Sequence, residues 1–174
     1  MQLTVETFTV HKKFALRISR GTTAESTNLW LRIEQENIEG WGEASPFSID
    51  EMQPQDAARL LSELAQISSH LEQFHPLQRQ QIKAKLDEFK VSSTIQAAVD
   101  MALYDWLGKK SGLPLWQIWG LDCDRIVPIS VTIGINTPEK AVARLKDWQD
   151  TLDFKMLKLK LGNPDGIEAD QLMV

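Results

Sequence analysis

Residues 155–162 read Lys-Met-Leu-Lys-Leu-Lys-Leu-Gly, and no other stretch restricts the fold of this chain so strongly. Strand side chains alternate faces, so Lys158 and Lys160 point one way while Leu157, Leu159 and Leu161 point the other. Two residues of rise put the lysines roughly 7 Å apart on one face. A surface ribbon could carry that pattern, but the preceding sequence argues otherwise. Residues 128–135 (Pro-Ile-Ser-Val-Thr-Ile-Gly-Ile) read as a strand. Thr137-Pro138-Glu139 then supplies an N-cap, a proline at the first helical position and an early acid. Ala141, Val142, Leu145 and Trp148 follow at helical spacing. Strand, helix, strand is a βαβ unit, whose parallel sheet is normally covered on both faces. The strands 128–135 and 155–161 should therefore run parallel and adjacent. Lysines on the inner face of such a sheet are costly to bury and point to chemistry.

Upstream, three strands are expected at about 3–14, 28–34 and 40–44, with a hairpin connection over Gln35–Gly40. Leu29, Leu31 and Ile33 alternate with Trp30, Arg32 and Glu34, as in a half-buried antiparallel strand. Arg20–Thr27 is polar and contains a glycine, which predicts a mobile surface loop, and a second loop is expected over Ser45–Gln53. Helical periodicity follows. Leu60, Leu61, Leu64 and Ile67 lie behind Pro54, which suits a first turn, and Ile82, Leu86 and Phe89 mark a weaker helix over 77–89. The strongest helix spans 94–110, with Ile95, Ala98, Val99, Ala102, Leu103, Trp106 and Leu107 on one apolar face. Lys109 and Lys110 suit its C-terminal end, and Gly112 with Pro114 stops it. The order predicts an α+β domain leading into the start of an α/β domain, joined near 120–127.

A chain of 174 residues accommodates one domain, or one with part of a second. Its net charge of −5 disfavours nucleic acid and anionic membranes as partners. Cys123, the single cysteine, can form neither an internal disulfide nor a thiolate metal site, and it reads as a small packed side chain or an exposed thiol. No apolar run is long enough to span a bilayer, and Met-Gln-Leu-Thr-Val-Glu lacks the features of a signal peptide. The expected address is cytoplasmic. The 6 tryptophans fall mostly on periodic apolar faces and read as core. His11, His70 and His75 lack metal-ligand spacing and read as surface residues. No glycine pattern supports nucleotide binding.

Several segments now recur together in a familiar order. They are Gly40-Trp41-Gly42-Glu43-Ala44-Ser45-Pro46, Ala97-Ala98-Val99-Asp100-Met101-Ala102-Leu103-Tyr104-Asp105-Trp106, and Gly112-Leu113-Pro114-Leu115-Trp116 with Gly120. With Thr132-Ile133-Gly134 and Lys158-Leu159-Lys160, the set resembles the enolase superfamily, muconate-lactonizing-enzyme subgroup, and within it dipeptide epimerases of the L-Ala-D/L-Glu type. Each motif alone is weak, and it is the ordered set that carries the resemblance. It implies an α+β capping domain (residues 1–124: a three-stranded antiparallel sheet plus helices) and then the first βαβ unit of a (β/α) barrel, truncated (125–174).

By the same resemblance, Lys160 is the acid/base facing the substrate α-carbon, and Lys158 lies near the substrate carboxylate. Desolvation and a neighbouring like charge both favour the neutral, proton-accepting form of an amine. Enolase-superfamily sites pair a Lys or His base with Mg²⁺ that stabilises an ene-diolate. Arg20 either anchors a substrate carboxylate through its guanidinium fork or is a free surface arginine. Thr132 either contacts substrate or packs within its strand. Glu43 is expected to be structural, holding cap against barrel. The family's three carboxylate metal ligands and second catalytic lysine lie on later barrel strands. Asp165, Glu168 and Asp170 come too early to be those ligands, so no metal ligand is expected in these residues. A barrel by itself takes about 250 residues, so the chain reads as the N-terminal half of an enzyme, inactive alone. Its implied partners are a small-molecule carboxylate substrate, a dipeptide, and copies of itself in a homo-oligomer. The same lysine pair also suits an o-succinylbenzoate synthase or a muconate-type cycloisomerase. A third alternative is a non-catalytic fragment or interaction module.

Overall fold

The first three strands form one sheet in the order β1-β2-β3, with β1 at Gln2–Ile18, β2 at Gly21–Gln35 and β3 at Ile38–Ala44. The computed structural model describes residues 1–19, 21–46, 56–172 and 174. Strands β2 and β3 pair antiparallel with Gln35 opposite Ile38, which leaves a two-residue turn of Glu36 and Asn37. Both residues have positive φ, 57° and 59°, as in the primed hairpin turn whose twist matches the flanking strands. The alternation of β2 is borne out: Leu29, Leu31 and Ile33 are fully buried.

The chain divides into two compact units, residues 1–10 with 26–123 and residues 11–25 with 124–174. In the first unit the sheet is covered by helices α1 (Ala57–Leu71), α2 (Arg79–Glu88), α3 (Ser93–Ser111) and the short α4 (Leu115–Ile118). Asp56 caps α1 by accepting from the Arg59 N–H at 2.8 Å; Pro54, the residue expected in its first turn, lies outside the described residues. Helix α3 is the core element, with Ile95, Ala98, Val99, Ala102, Leu103 and Trp106 buried. Ser92 caps it, and Gly112 at φ 66° ends it with Leu113 N–H bonded to the Gly108 carbonyl, a Schellman closure. Glycines at 40 and 42 let α3 lie directly on β3. A Cβ at Gly40 would stand 2.7 Å from Trp106 Cβ, and one at Gly42 would stand 2.9 Å from the Ala98 carbonyl carbon.

Several expectations need correction. The segment 21–27 is part of β2 and not a loop. Its Thr, Ser and Ala residues are small or β-branched, so they suit an extended chain once a partner strand is available. Cross-strand contacts Thr9–Thr27 at 3.0 Å and His11–Glu25 at 3.3 Å show that partner to be β1. Of the expected loop over Ser45–Gln53, all but Ser45 and Pro46 lies outside the described residues. Trp106 is fully buried, but Trp30, Trp116 and Trp119 are exposed. Cys123 is an exposed thiol on a 3₁₀ turn (Cys123–Arg125). His75 is half-buried, stacking edge-on against Trp106 at 5.4 Å and meeting Glu36 at 3.0 Å. Glu43 makes its contact inside the sheet, accepting a hydrogen bond from the Asn28 amide. Asn28 is buried, and its Oδ1 accepts from Ser26 and Ser45 as well, a polar cluster at the head of β2 that periodicity alone does not reveal.

Glu36 carries a pH prediction. Its carboxylate is held below the ordinary range, first by the hydrogen bond from the Lys110 ammonium and then by the His75 ring. A carboxylate with a lowered folded-state pKa stabilises the fold above its unfolded value, and that contribution fades as pH falls through the folded value. Melting curves of wild type and Glu36→Gln should therefore differ at neutral pH and converge in strong acid. A constant offset across that range would assign the effect to turn geometry instead.

In the second unit, β4 (Ser130–Ile133), α5 (Pro138–Gln149) and β5 (Met156–Leu159) form the βαβ unit, followed by a short helix α6 (Ile167–Gln171). The two strands are parallel and adjacent as expected, though each is shorter than its apolar run. Pro138 opens α5 behind Thr137, but the Thr137 side chain makes no cap hydrogen bond. Glu139 occupies it instead, and its carboxyl is pushed below the ordinary range by its own backbone N–H and then by Thr137.

Candidate active site

The parallel register sets the geometry. Thr132 stands opposite Lys158, and continuing it by two residues brings Gly134 level with Lys160. The ladder does continue, because the Lys160 N–H donates to the Ile133 carbonyl at 2.9 Å. Alternation therefore gathers Ser130, Thr132, Gly134, Lys158 and Lys160 on one face. Val131, Ile133 and Ile135 on the other face are buried, while Leu157 and Leu161 of that face are 43% and 46% exposed.

The far end of the β1–β2 hairpin lies across the C-terminal ends of these strands. Ile135 N–H donates to the Arg17 carbonyl at 2.9 Å. Gly134 permits this approach, since a Cβ there would stand 2.7 Å from the Arg17 oxygen and 2.9 Å from its nitrogen. Gly162, at φ 108°, faces Ser19, with 3.6 Å from a constructed Cβ to the Ser19 Cβ. The glycine after the Lys-x-Lys run thus turns the chain beneath the hairpin. Arg20 itself lies outside the described residues.

Two lysines beside a threonine hydroxyl form a face on which one ammonium can hold a carboxylate and the other lysine, in its neutral form, can offer an amine to an adjacent C–H. Lys158 is exposed and Lys160 half-buried, so these residues do not enclose the lysines as a covered sheet would. A cavity of about 450 Å³ does exist in this unit, lined by Phe14, Leu16, Thr132, Gly134, Arg144 and Trp148 among others, but neither lysine borders it.

Among the described residues, no carboxylate stands on the lysine face. Asp170 is committed elsewhere, accepting from the backbone N–H groups of Gly162 at 2.8 Å and Asn163 at 3.0 Å. Magnesium prefers several oxygen ligands in near-octahedral geometry. The described residues of this face do not fit such a site.

A three-stranded antiparallel sheet with helices, followed by a parallel strand pair that starts a βα unit, matches the N-terminal capping domain of enolase-superfamily members. Solved structures agree. The dipeptide epimerase from Enterococcus faecalis V583, complexed with Mg and the dipeptide L-Leu-L-Tyr, superposes with a TM-score of 0.84 at 28% identity, covering 99% of this chain and 48% of that one. The L-Ala-D/L-Glu epimerase of Bacillus subtilis shares the fold with a TM-score of 0.82 at 23% identity, over 99% and 49% of the two chains. Residues 3–120 match the N-terminal domain of the mandelate racemase / muconate lactonizing enzyme family, and the chain belongs to that family. Among curated relatives, a hydrophobic dipeptide epimerase of Flavobacteria bacterium (strain MS024-2A) is 36% identical over 99% of this chain and 48% of its own length. The L-Ala-D/L-Glu epimerase of Bacteroides thetaiotaomicron is 30% identical over 97% and 43%. The chain spans about half the length of the curated relatives it matches.

Proposed function

We propose that these residues belong to a dipeptide epimerase, an isomerase that inverts the carbon α to a carboxylate. The observation that carries this is the common face of Thr132, Lys158 and Lys160 on parallel strands, in a chain 36% identical to a hydrophobic dipeptide epimerase. Residues 1–124 form the capping domain and 125–174 the opening of the barrel. Lys160 takes the α-proton from one face of the substrate or returns it, Lys158 attracts the substrate carboxylate, and Thr132 donates a hydroxyl hydrogen bond to the substrate. Arg20 serves as a second carboxylate anchor. Two cationic side chains near a carboxylate make its α-proton more acidic and hold it within reach of a base. The magnesium bound by relatives such as the Enterococcus faecalis enzyme would supply electrostatic stabilisation of the enediolate. No step is assigned through it, since the described residues of the lysine face carry no ligand for it. A cytoplasmic address and a homo-oligomeric state belong to the same proposal.

The test is exchange of the dipeptide α-proton in deuterated solvent, followed by proton NMR on a protein that includes the full barrel. Signal loss from both the L,L and L,D isomers of an apolar dipeptide is expected. Exchange from neither isomer with any Ala-Xaa dipeptide would reject the assignment. The 174-residue chain by itself should neither epimerise dipeptides nor bind Mg²⁺ specifically. Calorimetric titration should show no saturable binding at micromolar metal and no rise in melting temperature. Saturable binding there would mean that the metal site lies within these residues.

A further inference from the structure

Where the hairpin end lies over the lysine strands, something must hold it there. Phe14 on β1 is half-buried, with the Arg144 guanidinium carbon 3.8 Å from its ring centroid and the Trp148 ring meeting it edge-on at 4.9 Å. Lys13 Nζ lies 5.5 Å from the same ring and donates to Thr151 Oγ1 at 2.8 Å. Two buried donors in this group, Arg144 Nη1 and Trp148 Nε1, have no hydrogen-bond partner among the described residues. Unpartnered buried N–H groups are unfavourable, and the Phe14 ring is an electron-rich surface that both side chains touch, although Arg144 Nε also faces Asp147 at 3.6 Å.

We infer that Phe14 is a positioning residue: its ring is the shared acceptor for Arg144 and Trp148, and this clasp on α5 holds the hairpin arm so that Arg17–Ser19 lie over the ends of β4 and β5. The arm then has three attachments in order along the chain: Lys13 on Thr151, Phe14 on α5, and the Arg17 carbonyl on Ile135. Only the last is next to the lysine face. Loosening Phe14 should free that end of the arm without disturbing the β4–β5 ladder beneath it. The inference deepens the epimerase proposal by naming what sets the cover over its site, but the clasp exists whatever reaction the face performs.

Amide hydrogen exchange separates the two, because one amide reports the arm and another the ladder. Ile135 N–H is bonded to Arg17 on the arm, and Lys160 N–H is bonded to Ile133 in the sheet. In the 174-residue chain, Phe14→Leu keeps apolar volume but removes the π face. It should speed exchange at Ile135 about tenfold, the scale of one cation–π contact with one aromatic pair. Lys160 protection should stay within about twofold, and Phe14→Tyr should restore Ile135 to the wild-type rate. Unchanged exchange at Ile135 in Phe14→Leu would overturn the clasp. Parallel acceleration at Ile135 and Lys160 would overturn it too, since the ring would then merely stabilise the whole unit. Neither result depends on epimerase activity, so failure of the clasp and failure of the functional assignment are read from different experiments.

Discussion

Gly42→Ala is expected to destabilise the first unit by roughly 3 kcal/mol, the upper range for forcing extra volume into a packed core. The added methyl would overlap the Ala98 carbonyl and stand 3.1 Å from the Ala102 nitrogen. Both neighbours are helix backbone, so no side chain can rotate away; α3 must lift off β3. That would also separate Trp106 Nε1 from the Gln35 carbonyl, now 3.1 Å away, and the Trp41 N–H from Asp105, now at 2.8 Å. Gly120→Ala is the matching control. Gly120 has φ 64° and nothing within 4 Å of a constructed Cβ, so only backbone strain of about 1–2 kcal/mol applies. Denaturant titrations of the two variants measure the difference directly. A loss at Gly42 no larger than at Gly120 would show that α3 does not rest on β3 as described.

Lys160→Ala, in a protein that includes the full barrel, should reduce α-proton exchange from one stereoisomer by roughly a thousandfold, within the range for removing a general base. Exchange from the other isomer should persist at a rate the opposite-face base sets, because each base meets only the hydrogen on its own side. The ladder bond Lys160 N–H to Ile133 uses backbone alone, so alanine leaves the strand intact. Loss from both isomers alike would point to a role in binding for Lys160. Near-normal exchange from both would remove it from the chemistry.

Local pattern was enough for the elements that bury one continuous face. Helix α3 declares itself because its apolar residues recur at helical spacing between Ser92 and Gly112, each of which satisfies backbone groups at a helix end. The β4–α5–β5 unit was legible for a related reason: Pro138 behind Thr137 marks a helix start, and the period changes from two to helical and back. The lysine face follows directly, since residues two apart on a strand must share a side.

The same rules failed at 21–27, where polarity and Gly21 resemble a loop but pairing with β1 makes a strand. They failed too for the tryptophans: Trp30, Trp116 and Trp119 are exposed, and Trp30 stands on the face of β2 opposite the buried Leu29, Leu31 and Ile33. Glycines 40 and 42 were visible as a motif without their reason, which is the backbone of a helix more than fifty positions away. The sequence by itself determined the shared side of Lys158 and Lys160, most of the strand and helix order, and a hairpin connection within Gln35–Gly40, which the structure narrows to Glu36 and Asn37. Each depends on periodicity or backbone preference within a few residues. Tertiary structure alone decided that β1 and β2 extend into an arm, that Arg17 meets Ile135 over the lysine strands, and that Phe14 meets Arg144 and Trp148. The last two join residues more than a hundred positions apart, and no local preference specifies a partner at that separation; only the packing of the folded chain does.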